Sequence, residues 1–463
     1  MAFVKTTGSM RLHVRLPQLP TPNTARTGHR CGYVTKRRVA PPRSRRYDQQ
    51  MWPRRMYDSQ MWRTNVFPLD VSDALGITNA QYEQIEGALF GASLFPYLVF
   101  LGFLGREETR APVDVNYGFQ FLLIFVFGTI PCGIYCKTQL DDILANLDWL
   151  HGSAESLLTV TNLIILIGAR RALAERVRLP DPKAYTSTSG DADSEDATLD
   201  NRPADVLRTA VVTVVGMAAL SYAAETTTNA MAAAHHTSAT FDGDISFDEL
   251  VGTWRELAVY VSSYVEPHTE PANALSLATW SIHVSSLVEW LASMELLWYW
   301  ADISGNPRWK GLTWGMVPCH ASGLAACTFH LFYNDPRLSA IVAAQAALTV
   351  IGNATCGLAA YRIWAYAKDA DDALTPAQLS PKQLARLREK TVVYPEPVFL
   401  FQLTFVTILT SASIKYGSLY ADVLFADGTG GEGSASSHLA LAFMCVMLPT
   451  ALNVQKWKLR SEL

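Results

Sequence analysis

Asp148, His151 and Glu155 are spaced so that a single helix would carry all three on one face. At about 100° per residue they lie at about 0°, 300° and 340° around the helix axis. Such a carboxylate–imidazole–carboxylate face could ligate a metal ion, relay protons, or coordinate the magnesium of a pigment through His151. The alternative is a helix that starts at a membrane surface, where His151 caps or pairs locally.

A second set of ionisable residues, His283, Glu289 and Glu295, falls in a later apolar segment. Their angles of about 0°, 240° and 120° place them on three faces of a helix, so they must find partners on neighbouring helices. Glu289 is the most costly of the three, because it lies near the middle of the segment. Ser285 and Ser286 are within one turn and can share hydrogen bonds with it.

Two further histidines, His320 and His330, follow in the next segment. They lie about 15 Å apart along one helix and therefore at different depths. The single site that the sequence favours is an inter-helix polar network of His283, Glu289 and His320. Equally compatible with the pattern is a set of histidines and glutamates bonded in pairs that hold a bundle together.

Tryptophans crowd residues 280–314. Those near the ends of apolar segments are typical of the aromatic belt at a membrane surface. Stacking against a pigment or quinone ring is the alternative, and chlorophyll or carotenoid is the cofactor class that it would bring.

The elements that must position these residues are long and apolar. Hydrophobic residues make up 49% of the chain and charged residues only 17%, against roughly 25% charged in soluble domains. A spanning helix needs about 20 mostly apolar residues, and nine segments are candidates: 87–104, 118–137, 150–169, 205–224, 274–301, 311–333, 338–366, 397–421 and 438–455. Because a backbone in lipid must satisfy its own hydrogen bonds, we predict an all-α polytopic membrane helix bundle of about nine transmembrane helices. For the bulk of the chain, this composition excludes a disordered protein, a nucleic-acid-binding protein and an ordinary soluble enzyme.

The third segment is one of the two weakest candidates, because Thr159, Thr161 and Asn162 dilute its apolar character.

The charges of the connecting loops support the count of nine transmembrane helices. Loops 170–204 and 367–396 carry clusters of Lys and Arg, and loops 225–273 and 422–437 are acidic. Positive-inside sorting then places the basic loops and the C-terminus on the stromal or cytoplasmic side.

Two short motifs recur along the chain. Gly128 to Cys132 echoes Gly315 to Cys319, with a proline at the same place in each, and residues 158–160 echo residues 348–350. Both pairs fall at matching depths in three-helix units that run in the same direction. The pattern suggests a parallel 3+3 helix repeat.

The beginning of the chain has a different character. Residues 1–63 hold 14 Lys and Arg but two acids, which leaves 24 basic and 40 acidic residues in the rest. No long apolar run interrupts this stretch, so it lacks the core of a secretory signal and is typical of an organellar transit peptide. The alternative is a basic disordered arm that binds anionic lipid or nucleic acid.

Two stretches carry the pattern of a known family. In residues 275–334 the pattern includes Trp280, His283, Glu289-Trp290, Gly305-Asn306, Trp309, Trp314-Gly315, Pro318-Cys319-His320, Gly323 and His330 to Asn334; in residues 90–170 it includes Phe95-Pro96 and Leu147 to Ser156. The first stretch resembles the hypothetical chloroplast reading frame 49 family of cyanobacterial and plastid membrane proteins. The second resembles the domain of unknown function that accompanies it in plants and algae. The resemblance implies a plastid membrane location and brings no reaction with it.

We therefore predict eight parts, which are a plastid transit peptide or disordered basic leader (1–65), a three-helix membrane domain of unknown function (85–170), a stromal loop (171–204), a connecting transmembrane helix (205–224), an acidic lumenal loop with a surface helix (225–273), a three-helix reading-frame-49-like membrane domain (274–366), a basic stromal loop (367–396) and a C-terminal two-helix membrane segment (397–463).

Three functions are compatible with these features. The favoured one is a non-catalytic factor of a plastid membrane, most simply the thylakoid, that assists assembly of photosynthetic complexes or handles pigment. The second is a transporter or channel that uses mid-membrane carboxylates. The third is a membrane enzyme that acts on a lipid or isoprenoid through His151 or His283. The lipid bilayer is a partner in each, and nucleic acid is not.

Overall fold

The computed structural model describes residues 78–178, 202–235, 270, 273–370, 381–425 and 434–462. These residues form α-helices joined by short turns, and they contain no β-strand. The helices are α1 (Asn79–Leu104), α2 (Val113–Tyr135), α3 (Asp148–Arg178), α4 (Arg202–His235), α5 (Leu277–Ser304), α6 (Trp309–Gly315), α7 (Val317–Leu331), α8 (Ser339–Asp369), α9 (Pro381–Arg388), α10 (Glu396–Phe425) and α11 (Ser434–Glu462). The predicted leader and the predicted surface helix of loop 225–273 lie outside the described residues.

Local sequence signals explain several helix ends. Thr78 and Gln81 form a capping box at the start of α1, in which each side chain bonds to the backbone of the other. Ser276 caps α5 by accepting a hydrogen bond from the backbone N–H of Thr279. The same helix ends at Gly305, which has a φ of 75°, a left-handed conformation that glycine adopts without steric cost.

Six helices are long and apolar enough to cross a membrane. They are α1, α2, α3, α4, α8 and α10. The predicted segments 274–301, 311–333 and 438–455 also form helices, but they are not among the six. The second of these segments is broken at Met316, so that α7 has 15 residues, fewer than the about 20 that a span requires. The membrane-type all-α fold is confirmed, and a total of nine spans stays a prediction.

Helix α3 is the centre of the bundle and packs against α2, α4 and α5. Most of its apolar stretch is buried inside the protein, including the fully buried run from Leu163 to Ile167. Two of the three polar residues that weaken it as a span, Thr159 and Asn162, bond to α5. The Thr159 hydroxyl donates to the Ile282 carbonyl over 3.1 Å, and the Asn162 amide donates to the Ser286 carbonyl over 3.1 Å.

The outer helices present apolar side chains away from the protein. Phe95 on α1, Phe127 on α2, Val212 on α4 and Phe401 on α10 are each more than half exposed. In water such surfaces would be costly, whereas in a bilayer they are the lipid-facing surface.

Ion pairs around one acidic residue hold one end of the bundle together. At one end Glu295 binds Lys390 over 2.7 Å, Arg460 over 3.4 Å and Lys456 over 3.7 Å. The basic segment before α10 and the end of α11 therefore lie at the same end of the bundle, in the relative arrangement that the loop charges predict. The compartment that this end faces stays a prediction.

The two echoed motifs occupy different backbone settings. Pro131 lies inside the continuous helix α2, whereas Pro318 lies in the first turn of α7, directly after the break at Met316. The parallel repeat therefore stays a prediction.

Candidate metal centre

Three histidines from three helices meet near one end of the bundle. His151 lies in the first turn of α3, His283 less than two turns into α5, and His330 at the end of α7. All three are buried, with 4–7% of each residue exposed.

Their imidazole rings form a nearly equilateral triangle. Nε2 of His151 lies 3.0 Å from Nε2 of His283 and 3.1 Å from Nε2 of His330. The three distances between ring centroids are 4.9, 4.8 and 4.8 Å. One nitrogen from each residue thus points into a common space.

The tautomer of His330 is set by Asn334. The Asn334 Nδ2 amide donates to the carbonyl of Ala145 and to Oδ1 of Asn146, each over 2.9 Å. This orientation turns Oδ1 of Asn334 toward Nδ1 of His330, 2.8 Å away. Because an amide oxygen only accepts, Nδ1 of His330 carries the proton and Nε2 presents its lone pair to the triangle.

Hydrogen bonding alone does not satisfy this arrangement. A proton on Nε2 of His151 can point well at one neighbour, which leaves the other short contact without a hydrogen bond. If Nε2 of His151 instead accepts from His283, its contact with Nε2 of His330 brings two lone pairs together. Protonating several of the rings would instead place like charges side by side in a buried space. A cation between the three nitrogens removes the conflict, since each lone pair then becomes a ligand.

The distances suit such an ion. Three imidazole nitrogens about 2.0–2.1 Å from a tetrahedral zinc ion lie about 3.3–3.4 Å from one another. The observed contacts of 3.0 and 3.1 Å need an outward shift of only a few tenths of an ångström. Metal-bound imidazoles usually donate their second N–H to an acceptor. His330 does so to Asn334, whereas Nδ1 of His151 has no partner among the described residues.

The starts of α3 and α5 are fastened together beside the triangle. Oδ1 of Asp148 accepts the backbone N–H of Ser276 over 2.9 Å. Gly152, which directly follows His151, packs so closely on α5 that an added Cβ would lie 2.5 Å from Oγ1 of Thr279. Only glycine allows this approach, which brings His151 within reach of His283.

A buried lysine holds the segment that leads into α5. Lys415 on α10 binds Glu270 over 2.8 Å and Glu225 over 3.1 Å, and it donates to the carbonyl of Leu275 over 2.8 Å. Glu225 in turn accepts the backbone N–H of Leu277 over 3.0 Å. These contacts position the first turn of α5 and, through it, His283.

Glu155 lies one turn along α3 from His151, on the same face and partly buried. Thr159, one further turn along this face, donates to the Ile282 carbonyl of α5. Glu155 therefore lies one turn further into the bundle than His151, on a face of α3 that packs on α5.

The remaining predicted site residues lie outside the triangle. Among the described residues, the group close enough to share one ion contains His151, His283 and His330 and neither Glu289 nor His320. Glu289 is fully buried and accepts a hydrogen bond from the hydroxyl of Ser285, while its Oε2 has no partner in the part of the chain that the structure describes. The structure therefore favours a different grouping from the network of His283, Glu289 and His320.

A cavity of about 360 Å³ lies at the opposite end of the bundle, lined by Arg170, Arg171 and Glu396 among others. Its two guanidinium groups are already engaged. Arg171 binds both oxygens of Glu396 over 2.6 and 2.8 Å, and Arg170 donates to the carbonyls of Lys390 and Tyr394. Neither guanidinium group is therefore free to bind a ligand in this cavity.

Comparison with known proteins matches two separate stretches of the chain. A family described as protein of unknown function DUF2499 matches residues 274–362, and one described as DUF3593 matches residues 86–174. A Ycf49-like protein of Synechocystis sp. is 46% identical over 98 residues, which make up 92% of that protein and 21% of this chain. An uncharacterized ycf49 protein of Cyanophora paradoxa is 31% identical over 83 residues, which make up 81% of it and 18% of this chain. No solved structure matches.

The histidine triangle draws on both matched stretches. His151 falls in residues 86–174, and His283 and His330 fall in residues 274–362. Neither stretch alone contains the three ligands.

Proposed function

Because this chain belongs to the Ycf49-like family, which has cyanobacterial and plastid members, we propose that it is a plastid membrane protein that binds one transition-metal ion through His151, His283 and His330. The convergence of three buried Nε2 atoms carries the proposal. Imidazole ligands suit zinc, copper, iron and nickel.

A bare ion fits this place better than a pigment does. Coordinating the magnesium of a chlorophyll takes one imidazole with open space above it for the macrocycle. Here each ring has two others with centroids 4.8–4.9 Å away, so the space in front of Nε2 is occupied by the other histidines. The tryptophans support the same choice, because two of them already have partners within the protein. Trp298 stacks on Trp457, and Trp290 donates to the carbonyl of Met316.

In the cell, we place this protein in the thylakoid membrane after removal of the basic leader, with the C-terminus in the stroma. The metal centre then lies at the lumenal end of the bundle, and the ion serves a non-catalytic role in assembling photosynthetic complexes. Protease protection in sealed membranes tests the orientation. Loop 367–396 and the C-terminus should be cut from one side, and cleavage from opposite sides would refute it.

Metal analysis of the full chain in mild detergent tests the centre. We expect about one transition-metal ion per chain, nearly all of it lost in His283→Ala. His320→Ala is the matched control, because His320 is equally buried but lies outside the triangle, and this variant should keep the ion. Absence of bound metal, or equal loss in both variants, would refute the proposal.

A second candidate function is ion transport, which one observation favours. Oε2 of Glu289, Oδ1 of Asn162 and Oγ of Ser293 are buried without partners among the described residues, and they belong to α3 and α5, which pack together. Unsatisfied polar groups at membrane depth often mark an ion or proton path. Flux through liposomes should then fall in Glu289→Gln, and unchanged flux would dismiss this candidate.

A further inference from the structure

The number of protein ligands distinguishes structural from reactive metal sites. Structural zinc sites are closed by four protein ligands, whereas reactive sites have three and leave the fourth position to water or substrate. Among the described residues, the group that could share the ion holds three histidines and no carboxylate or thiolate. The fourth position of a tetrahedral ion is therefore free for an external ligand.

Charge decides what kind of ligand this position takes. Three neutral imidazoles leave a divalent ion with its full charge in a buried place, which is costly. The carboxylate of Asp148, in the same first turn of α3 as His151, is engaged with the backbone N–H of Ser276. A small anionic oxygen ligand, such as hydroxide or a carboxylate, would neutralise part of this charge.

Glu155 is placed to contact that ligand. His151, Glu155 and Thr159 follow one another at intervals of four residues along α3 and share the face that packs on α5. On α5, His151 contacts His283 and Thr159 contacts Ser286. Glu155 therefore lies on α3 between these two contacts. Helical side chains lean toward the N-terminus of their helix, which brings the carboxylate of Glu155 back toward the turn of His151.

Contacts with α7 support the same position. His151, on the face of α3 that carries Glu155, contacts His330 on α7 over 3.1 Å. His330 leans toward the N-terminus of α7 for the same geometric reason. Glu155 therefore approaches the triangle from the membrane side, beyond the ligands and within the reach of a group bound to the ion.

We infer that the metal ion holds one exchangeable small oxygen ligand, either water or an oxyanion, and that Glu155 positions this ligand by a hydrogen bond, which its carboxylate accepts from water or its protonated form donates to an oxyanion. The inference rests on the proposed metal centre. It makes the centre a binding site for a small carboxylate or similar anion rather than a closed structural site.

Cobalt(II) loading of the full chain in detergent, followed by titration with azide or acetate, tests this. The visible absorption spectrum of bound cobalt should shift on anion binding, because the anion replaces the fourth ligand. Glu155→Gln should keep the cobalt stoichiometry and change the azide dissociation constant at least about fivefold, because an amide replaces the carboxyl group that faces the bound anion. Glu86→Gln, at a partly buried glutamate of α1, is the matched control and should titrate as the unaltered chain does.

Each other result is decisive. A cobalt spectrum that does not respond to either anion would overturn the inference while leaving the metal centre standing. Loss of cobalt from Glu155→Gln would also overturn it, since Glu155 would then be a ligand. Failure of the unaltered chain to bind cobalt or any other transition metal would overturn both the inference and the proposed function.

Discussion

Replacing Asn334 with glycine should weaken metal binding at the histidine triangle without unfolding the protein. Asn334 accepts the N–H of His330 at Nδ1 and so fixes the tautomer that presents Nε2 to the ion. Glycine removes this acceptor. It also suits the backbone, because Asn334 has a φ of 60°, where alanine would add strain of its own.

The size of the effect follows from the contacts that are lost. Removing a partner of a metal-bound imidazole typically costs 10- to 100-fold in affinity, which corresponds to about 1.4–2.7 kcal/mol. The variant also loses the two hydrogen bonds from Nδ2 to Ala145 and Asn146. At about 1 kcal/mol each, they should lower the free energy of unfolding by about 2 kcal/mol.

Competition with a chromophoric chelator in detergent measures the affinity. Asn353→Ala is the control, because the Asn353 amide also joins two helices, donating to the carbonyl of Ser93 over 3.0 Å, and contacts none of the three histidines. An equal affinity in Asn334→Gly and the unaltered chain would refute the proposed role of Asn334. An equal loss in Asn353→Ala would show that helix packing in general, rather than the tautomer of His330, controls binding.

Two further substitutions test how the triangle is positioned. Gly152→Ala should lower metal affinity at least about tenfold, because its Cβ would lie 2.5 Å from Oγ1 of Thr279, and a displacement of about 1 Å is costly for a preorganised site. The control is Gly87→Ala, where no atom lies within 4 Å of the added Cβ. This variant should leave the affinity unchanged in the same chelator assay. Lys415→Met should lower the free energy of unfolding by about 2 kcal/mol, because it leaves the partly buried carboxylate of Glu225 and the carbonyl of Leu275 without their cationic donor. Thermal unfolding in detergent measures this, and the exposed ion pair of Lys137 supplies the control, since Lys137→Met should cost less than about 1 kcal/mol.

The fold could be predicted from the sequence in outline because apolar length determines a membrane helix. The predicted segments all became helices, and the ion pairs of Glu295 place the basic segment and the chain end together as the loop charges predict. The sequence could not show that α3 is central. Its Thr159 and Asn162 are costly on a lipid-facing helix, but each donates to a backbone carbonyl of α5, and hydropathy does not distinguish these two surroundings.

The site could be predicted residue by residue but not as a group. His151, His283 and His330 were all candidates, yet angles around one helix do not show which faces of different helices meet. His320 and His330 could be separated by depth, because both lie on one segment. The pairing of His330 with His151, 179 residues earlier, depends on helix packing. Asn334 carried one usable signal, its spacing of four residues from His330, but the orientation of its amide depends on the turn at Ala145 and Asn146.

The division of the triangle between two matched stretches has an energetic consequence. One stretch supplies His151 and the other supplies His283 and His330, so the ion binds with all three ligands only when α3, α5 and α7 are packed together. A ligand that binds the assembled state alone stabilises it by mass action, by about 2.7 kcal/mol at a free metal concentration 100 times the dissociation constant. The polar contacts between α3 and α5, such as that of Thr159 with Ser286, hold the same interface from within. Metal binding and helix packing are therefore coupled, and removing the ion should loosen the interface between the two stretches before it affects the helices within either one.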